Sequence, residues 1–205
     1  AQTLLLSHTP ARPTEEGELE CTEPDPETNQ AAYDLSRRYS RSENHDTFVQ
    51  EYEQRAGITI SELTVDGLNT AKARMKLNFR KPVDSGGDFL YICPTIVPFI
   101  EKNPFTSQKR QLPVEFSYPY RYRIIVSLML PEGYTVEELP KSQRLSACNE
   151  GIACTMQLQQ QGALMQCLFE FDLSRIIFPA TEYTDLSAFY GFVMDMCNSR
   201  IVLKK

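Results

Sequence analysis

The apolar residues of this chain change period twice, and that change limits the fold more than any composition figure does. Between residues 30 and 55, Ala31, Ala32, Leu35, Tyr39, Phe48, Val49 and Tyr52 recur every three or four positions, with Arg37, Arg38, Glu51 and Glu53 on the other faces. That spacing predicts amphipathic helix. The polar stretch from Ser40 to Asp46 divides it into two helices, the second capped near Asp46. Gly57 ends it, because glycine takes the left-handed backbone of a helix C-terminus without a Cβ penalty. After Gly57 the period is two. Ile58, Ile60 and Leu63 run to an Asp66-Gly67 turn, and Ala71, Ala73, Met75, Leu77 and Phe79 then alternate with Lys72, Arg74, Lys76 and Asn78. This is a strand with one wet face.

Further strands are expected at residues 89–93, 114–118, 122–130, 145–148, 152–159 and 163–175. Residues 84–87 read as a loop, and Pro94, Pro98 and Pro104 leave residues 95–107 irregular. Turn signals stand at Pro131-Glu132-Gly133, Gly151 and Gly162, and a general spacing of about eight to twelve residues between turns is the rhythm of an antiparallel sandwich. The period returns to helix near the end. Tyr183, Leu186, Phe189, Tyr190, Val193, Met196 and Cys197 form one stripe, with Thr181 or Thr184 as cap, Asn198 as stop and a last short strand at residues 201–203. The first stretch is polar and broken by Pro10, Pro13, Pro24 and Pro26. It has room for two short strands, residues 3–7 and 18–22, around a turn at residues 14–17. The expected fold is therefore mainly β: an antiparallel β-sandwich with an N-terminal helical segment and one C-terminal helix. Residues 1–56 and 57–205 are read as two segments packed as one unit.

Composition removes whole function classes. The 205 residues carry 27 acids against 21 bases, a net charge of −6, with the acids concentrated between Glu15 and Glu27. A free-standing nucleic-acid binder needs basic excess, since phosphate neutralisation supplies most of its affinity. No apolar run approaches the roughly 18 residues of a membrane span. His8 and His45 are the two histidines and lie on unlike segments, so no metal ligand set is expected, and no cofactor motif is present. Asp84-Ser85-Gly86-Gly87 lacks the strand and helix that a phosphate-cradling loop requires. Glu170 and Asp172 flank Phe171 on one strand face and read as surface acids rather than a glycosidase pair. The six cysteines read as small buried hydrophobes. A bridge between Cys148 and Cys154 across the Asn149-Glu150-Gly151 turn is the less favoured alternative.

Three segments carry a resemblance when taken in order. They are Tyr91-Ile92-Cys93-Pro94; Asn103-Pro104-Phe105 followed by Arg110-Gln111-Leu112-Pro113-Val114-Glu115-Phe116; and Leu130-Pro131-Glu132-Gly133-Tyr134 with Val136-Glu137-Glu138-Leu139-Pro140. With residues 183–192 and 201–204, they resemble the secreted, multidomain transglutaminase-like proteins of Bacteroides-type bacteria, in the domain of unknown function that follows the papain-like core. The resemblance implies a periplasmic or extracellular location and a neighbouring transglutaminase-like domain of the same polypeptide as partner. Residue by residue, each motif reads as a turn or a core plug rather than as a site.

The catalytic expectation is testable in the residues. Acyl transfer of this kind needs a thiol activated by histidine, with an acid orienting the ring. Cys21 is the cysteine that precedes a histidine, His45, and its Glu20-Cys21-Thr22-Glu23 context disfavours a thiolate. No catalytic residue is therefore assigned, and the expected function is a non-catalytic accessory or packing domain. The alternative is a binding module for a cell-surface glycan or protein. Its candidate surface is Tyr118, Tyr120 and Tyr122, which share one strand face while Arg121 and Arg123 take the other.

Overall fold

The computed structural model describes residues 3–14, 17–28 and 30–205, with the side chains of residues 3–6, 8 and 23–28 outside the description. Residues 15 and 16, at the centre of the expected turn, and part of the acidic run from Glu15 to Glu27 thus lie outside the described residues, while the Gly17 N–H bonds the Thr14 carbonyl at 3.3 Å. The chain opens with strands β1 (Thr3–Pro13) and β2 (Glu18–Thr28) and helices α1 (Gln30–Arg41) and α2 (His45–Ala56). Strands β3 (Thr59–Asp66), β4 (Lys72–Pro82), β5 (Asp84–Gly86), β6 (Phe89–Ile92), β7 (Val114–Glu115) and β8 (Tyr120–Met129) follow. The remainder is β9 (Thr135–Glu138), β10 (Gln143–Ala147), β11 (Ile152–Gln161), β12 (Leu164–Leu173), β13 (Ile177–Phe178), α3 (Tyr183–Asn198) and β14 (Ile201–Lys204).

The mainly β, antiparallel-rich architecture forms as expected, with helices in the N-terminal segment and at the C-terminus. Eight strands make the principal sheet in the order β10-β11-β12-β8-β1-β2-β4-β3, and β5-β6-β14-β9 make a second sheet. One pairing departs from antiparallel: β1 runs parallel to β8, with Thr3 opposite Tyr120 and Ala11 opposite Leu128. The strand reaches Pro13, beyond the expected end at residue 7, and its Ser7, Thr9 and Ala11 are buried while Pro10 is exposed. Strands from residues 1–56 and 57–205 thereby share one sheet.

Alternation is clearest on the central strands. Along β4, Ala73, Met75, Leu77 and Phe79 are buried and Lys72, Arg74 and Lys76 exposed. On β12, Met165, Cys167, Phe169, Phe171 and Leu173 turn inward. The opposite face carries ion pairs between neighbouring strands, Arg121 to Asp172 and Arg123 to Glu170. Helices α1 and α3 and the second sheet close the apolar face, and the buried residues form one continuous core.

Helix boundaries follow local chemistry. Asn44, rather than Asp46, caps α2, its Oδ1 accepting from the Thr47 N–H at 2.9 Å. Gly57 ends it at φ 61°, and its N–H bonds the Glu53 carbonyl. Neither Thr181 nor Thr184 caps α3. A 3-10 turn at Ala180–Glu182 leads into it, with Glu182 in the cap position and no side-chain cap. Ser199 closes its far end, the hydroxyl donating to the Met196 carbonyl at 2.7 Å. All seven residues of the expected stripe are buried. Residues 84–86 form the short strand β5 against β6 instead of a free loop, since Gly87 at φ 61° permits a tight hairpin.

Candidate functional site

The tyrosines of β8 lie in a cleft. It has a volume of about 520 Å³ and opens where β8, β1 and β4 pass beneath the two N-terminal helices. Thr9, Met75, Phe79 and Ile124 lie on the sheet side, Arg38, Tyr52 and Arg55 come from α1 and α2, and residues 95–99 with Tyr118 form the remaining wall.

Aromatic contacts fix the walls. Tyr122 stacks on Phe99 with centroids 5.0 Å apart and planes 23° apart, and Phe99 in turn meets Phe171 at 4.9 Å. Tyr120 lies against Phe171 at 5.9 Å and 18°. Burial pushes the Tyr120 hydroxyl up from 10.0 to about 12, a shift the neighbouring Tyr190 hydroxyl partly offsets. Tyr118, just before β8, donates to Asp34 Oδ2 at 2.7 Å, tying the entry to that strand to α1. On the helical side the Arg55 guanidinium lies 5.0 Å from the centre of the Tyr52 ring. Phe48 backs that ring at 6.3 Å and contacts Tyr39 at 5.0 Å.

The rim holds an unusual backbone. Ile96 is buried and lines the cleft at φ 63°, a left-handed conformation that β-branched residues avoid. Its N–H bonds the Cys93 carbonyl at 2.9 Å, and Val97 N–H bonds the Thr95 carbonyl at 2.7 Å. Among the described residues the lining holds two guanidiniums and no carboxylate, within a chain of net charge −6. A smaller groove of about 200 Å³ adjoins it, sharing Arg38, Tyr52 and Arg55 and adding Arg41 and Glu51. Glu51 there accepts from the Ser42 hydroxyl at 2.9 Å.

The structure gives the two faces of the stripe different surroundings. Tyr118, Tyr120 and Tyr122 come together as a half-buried cleft wall, whereas Arg121 and Arg123 face the other side and are held by Asp172 and Glu170. Sequence reasoning placed Arg38 on a solvated helix face and left residues 95–107 as irregular chain, so it missed Arg38, Arg55, Ile96 and Phe99. The Arg-Tyr content of α1 and α2 was visible; its approach to β8 was not.

Other candidates are placed apart. Cys21 is buried in β2, and His45 sits exposed at the start of α2 with Nδ1 3.0 Å from the Tyr39 hydroxyl. All six cysteines are free. Cys154 pairs across the hairpin with Leu145, while Cys148 sits in the turn at φ 54°, so the two do not oppose each other. Burial raises the Cys154 thiol far above its ordinary range, Cys167 to about 12 and Cys197 to about 11. No group of three or more metal-ligating side chains converges among the described residues.

The resemblance motifs are engaged in packing. Asn103 Nδ2 donates to the Ser187 carbonyl at 2.8 Å, and its Oδ1 accepts from Phe105 N–H at 2.9 Å. The Ser187 hydroxyl donates to the Phe105 carbonyl at 2.8 Å. The Phe105 ring meets Tyr190 edge-on at 4.9 Å. Gly133, at φ 81°, supplies the turn in which Tyr134 N–H bonds the Pro131 carbonyl.

A family model described as Domain of Unknown Function with solved-structure structure (DUF3858) matches residues 88–203, more than half of the chain. Among solved structures, a crystal structure described as a "putative protease" from Parabacteroides distasonis ATCC 8503 is similar, with 15% sequence identity and a TM-score of 0.45. That likeness covers 57% of this chain and 23% of the other, so this chain spans about a quarter of the length of that relative. No curated protein matches. The family match takes in β8 and the Phe99 wall of the cleft, whereas Arg38, Tyr52 and Arg55 come from the residues before it.

Proposed function

This chain belongs to the DUF3858 domain family, and we propose that it serves as a non-catalytic accessory domain of a secreted, transglutaminase-like protein. Its role there is to pack beside a catalytic core of the same polypeptide and shape it. One observation carries the reading: the side chains that bear the resemblance are engaged in holding the fold. Asn103, Phe105 and Ser187 clamp the irregular segment to α3, and Tyr183 packs against Phe105 at 5.9 Å. The sequence order of those motifs supports the association with a transglutaminase-like core, and a secreted location goes with it.

The thiols support the same reading. A nucleophilic cysteine works as a thiolate beside a cation or a helix N-terminus. Here burial disfavours the thiolates of Cys154, Cys167 and Cys197. The test is an assay of the whole chain for amine incorporation into glutaminyl peptides and for peptide hydrolysis. The expected result is no turnover above buffer. Turnover that Cys21→Ala abolishes would overturn the proposal.

A further inference from the structure

We propose that the cleft between the N-terminal helices and β8 binds a small organic oxyanion, a carboxylate or phosphate carried on an aromatic or flat apolar body. Arg38 and Arg55 would hold the anionic head, and Tyr52, Tyr122 and Phe99 would flank the body. This assignment goes beyond the accessory role and stands without it.

Size comes first. At about 520 Å³ the cleft falls within the roughly 300–1,000 Å³ range of small-molecule sites. Charge comes second. The chain is acidic overall, yet the described lining is free of carboxylates and two guanidiniums reach it from different helices. Guanidinium forks match the geometry of carboxylate and phosphate oxygens, and apolar walls strengthen such pairs by excluding water. Arg55 already lies on the Tyr52 ring, which limits its orientations before any ligand arrives.

The polar atoms of the walls decide between an apolar body and a sugar. A sugar ring needs hydrogen-bonding groups around its hydroxyls. The Tyr118 hydroxyl is directed to Asp34. Thr9 and Thr95 face Ser7 Oγ and Cys93 Sγ, each at 3.4 Å. These residues present carbon surface and ring faces, which suit an aryl or other apolar group. The left-handed Ile96 points the same way. A β-branched residue held at φ 63° costs free energy, and such positions concentrate where the backbone must keep a binding wall in place.

The experiment titrates the isotopically labelled full chain with N-acetylphenylalanine, with phenyl phosphate, with the neutral amide of N-acetylphenylalanine and with cellobiose, following backbone resonances. The proposal expects saturable shifts at residues 38, 52, 55 and 95–99 with at least one of the two anions. The amide should bind about tenfold more weakly or worse, as the loss of a charge-assisted pair implies. Comparing the two anions separates carboxylate from phosphate preference. The double substitution Arg38→Gln/Arg55→Gln, at two exposed positions, should cost about tenfold or more in affinity, while the chain keeps a single cooperative melting transition. Three results would each overturn the proposal: no saturable shift at the cleft with either anion, equal binding of amide and acid, or binding only of a neutral disaccharide such as cellobiose.

Discussion

Replacing Asn103 by alanine tests whether the resemblance motif builds the fold. The Asn103 side chain makes two bonds, donating to Ser187 O at 2.8 Å and accepting from Phe105 N–H at 2.9 Å, both partly buried. A neutral hydrogen bond contributes about 0.5–1.5 kcal/mol net, and a buried donor left without a partner costs about 1–3 kcal/mol. The Phe105 amide is such a donor, so the expected loss is about 2 kcal/mol. For a chain of this size each kcal/mol lowers the melting temperature by about 2–4 °C, which makes the expected drop about 4–8 °C. Urea unfolding followed by circular dichroism should show a lower midpoint at unchanged slope. Ser187→Ala removes the other half of the clamp, the bond to the Phe105 carbonyl. Because both substitutions release the same loop from α3, the double variant should lose less than the sum of the singles. An Asn103→Ala chain within about 0.5 kcal/mol of the parent, the scatter of ordinary surface changes, would refute the reasoning.

Gly67→Ala should destabilise by about 1–3 kcal/mol in the same urea assay, because the residue sits at φ 69° and a Cβ would stand 2.3 Å from the Lys72 carbonyl oxygen. Phe171→Ala, at the junction of Phe99, Tyr120, Phe189 and Tyr190, should cost about 3–5 kcal/mol. Alkali should also destabilise the fold. Burial raises Cys167 from 9.0 to about 12, Cys197 to about 11 and Tyr120 from 10.0 to about 12, so the folded chain keeps protons that the unfolded chain has released. Stability from these groups is full below pH 9 and falls between pH 9 and 12, and Tyr120→Phe should flatten the upper part of that fall in a pH series of melting curves.

Local pattern was legible wherever contacts are near in sequence. The β4 alternation, the α3 stripe and the Gly57 stop each depend on residues within one or two turns, and each forms as the periodicity predicts. The errors are at boundaries decided by competing neighbours. Asn44 outcompetes Asp46 because its carbonyl reaches the Thr47 N–H, and α3 begins through a 3-10 turn with no threonine cap. The parallel seam of β1 and β8 joins residues more than a hundred positions apart, beyond the reach of any periodicity. It also runs through Pro10, which in sequence reads as a strand breaker.

The candidate site was half legible for the same reason. Alternation placed Tyr118, Tyr120 and Tyr122 on one face and Arg121 and Arg123 on the other, and the structure keeps that division. What makes the tyrosines a cleft wall is the approach of Arg38 and Arg55 from two helices and of Phe99 from a proline-bounded loop. Those contacts belong to tertiary packing and leave no local signature. The left-handed Ile96 had no warning either, since glycine or asparagine is the usual occupant of that conformation.

The accessory role is tested most directly by measuring a longer polypeptide that carries the expected transglutaminase-like core, with and without this domain. The account predicts that removing the domain lowers the melting temperature of the core or changes its KM for peptide substrates. A core whose stability and kinetics are identical in both forms would contradict it.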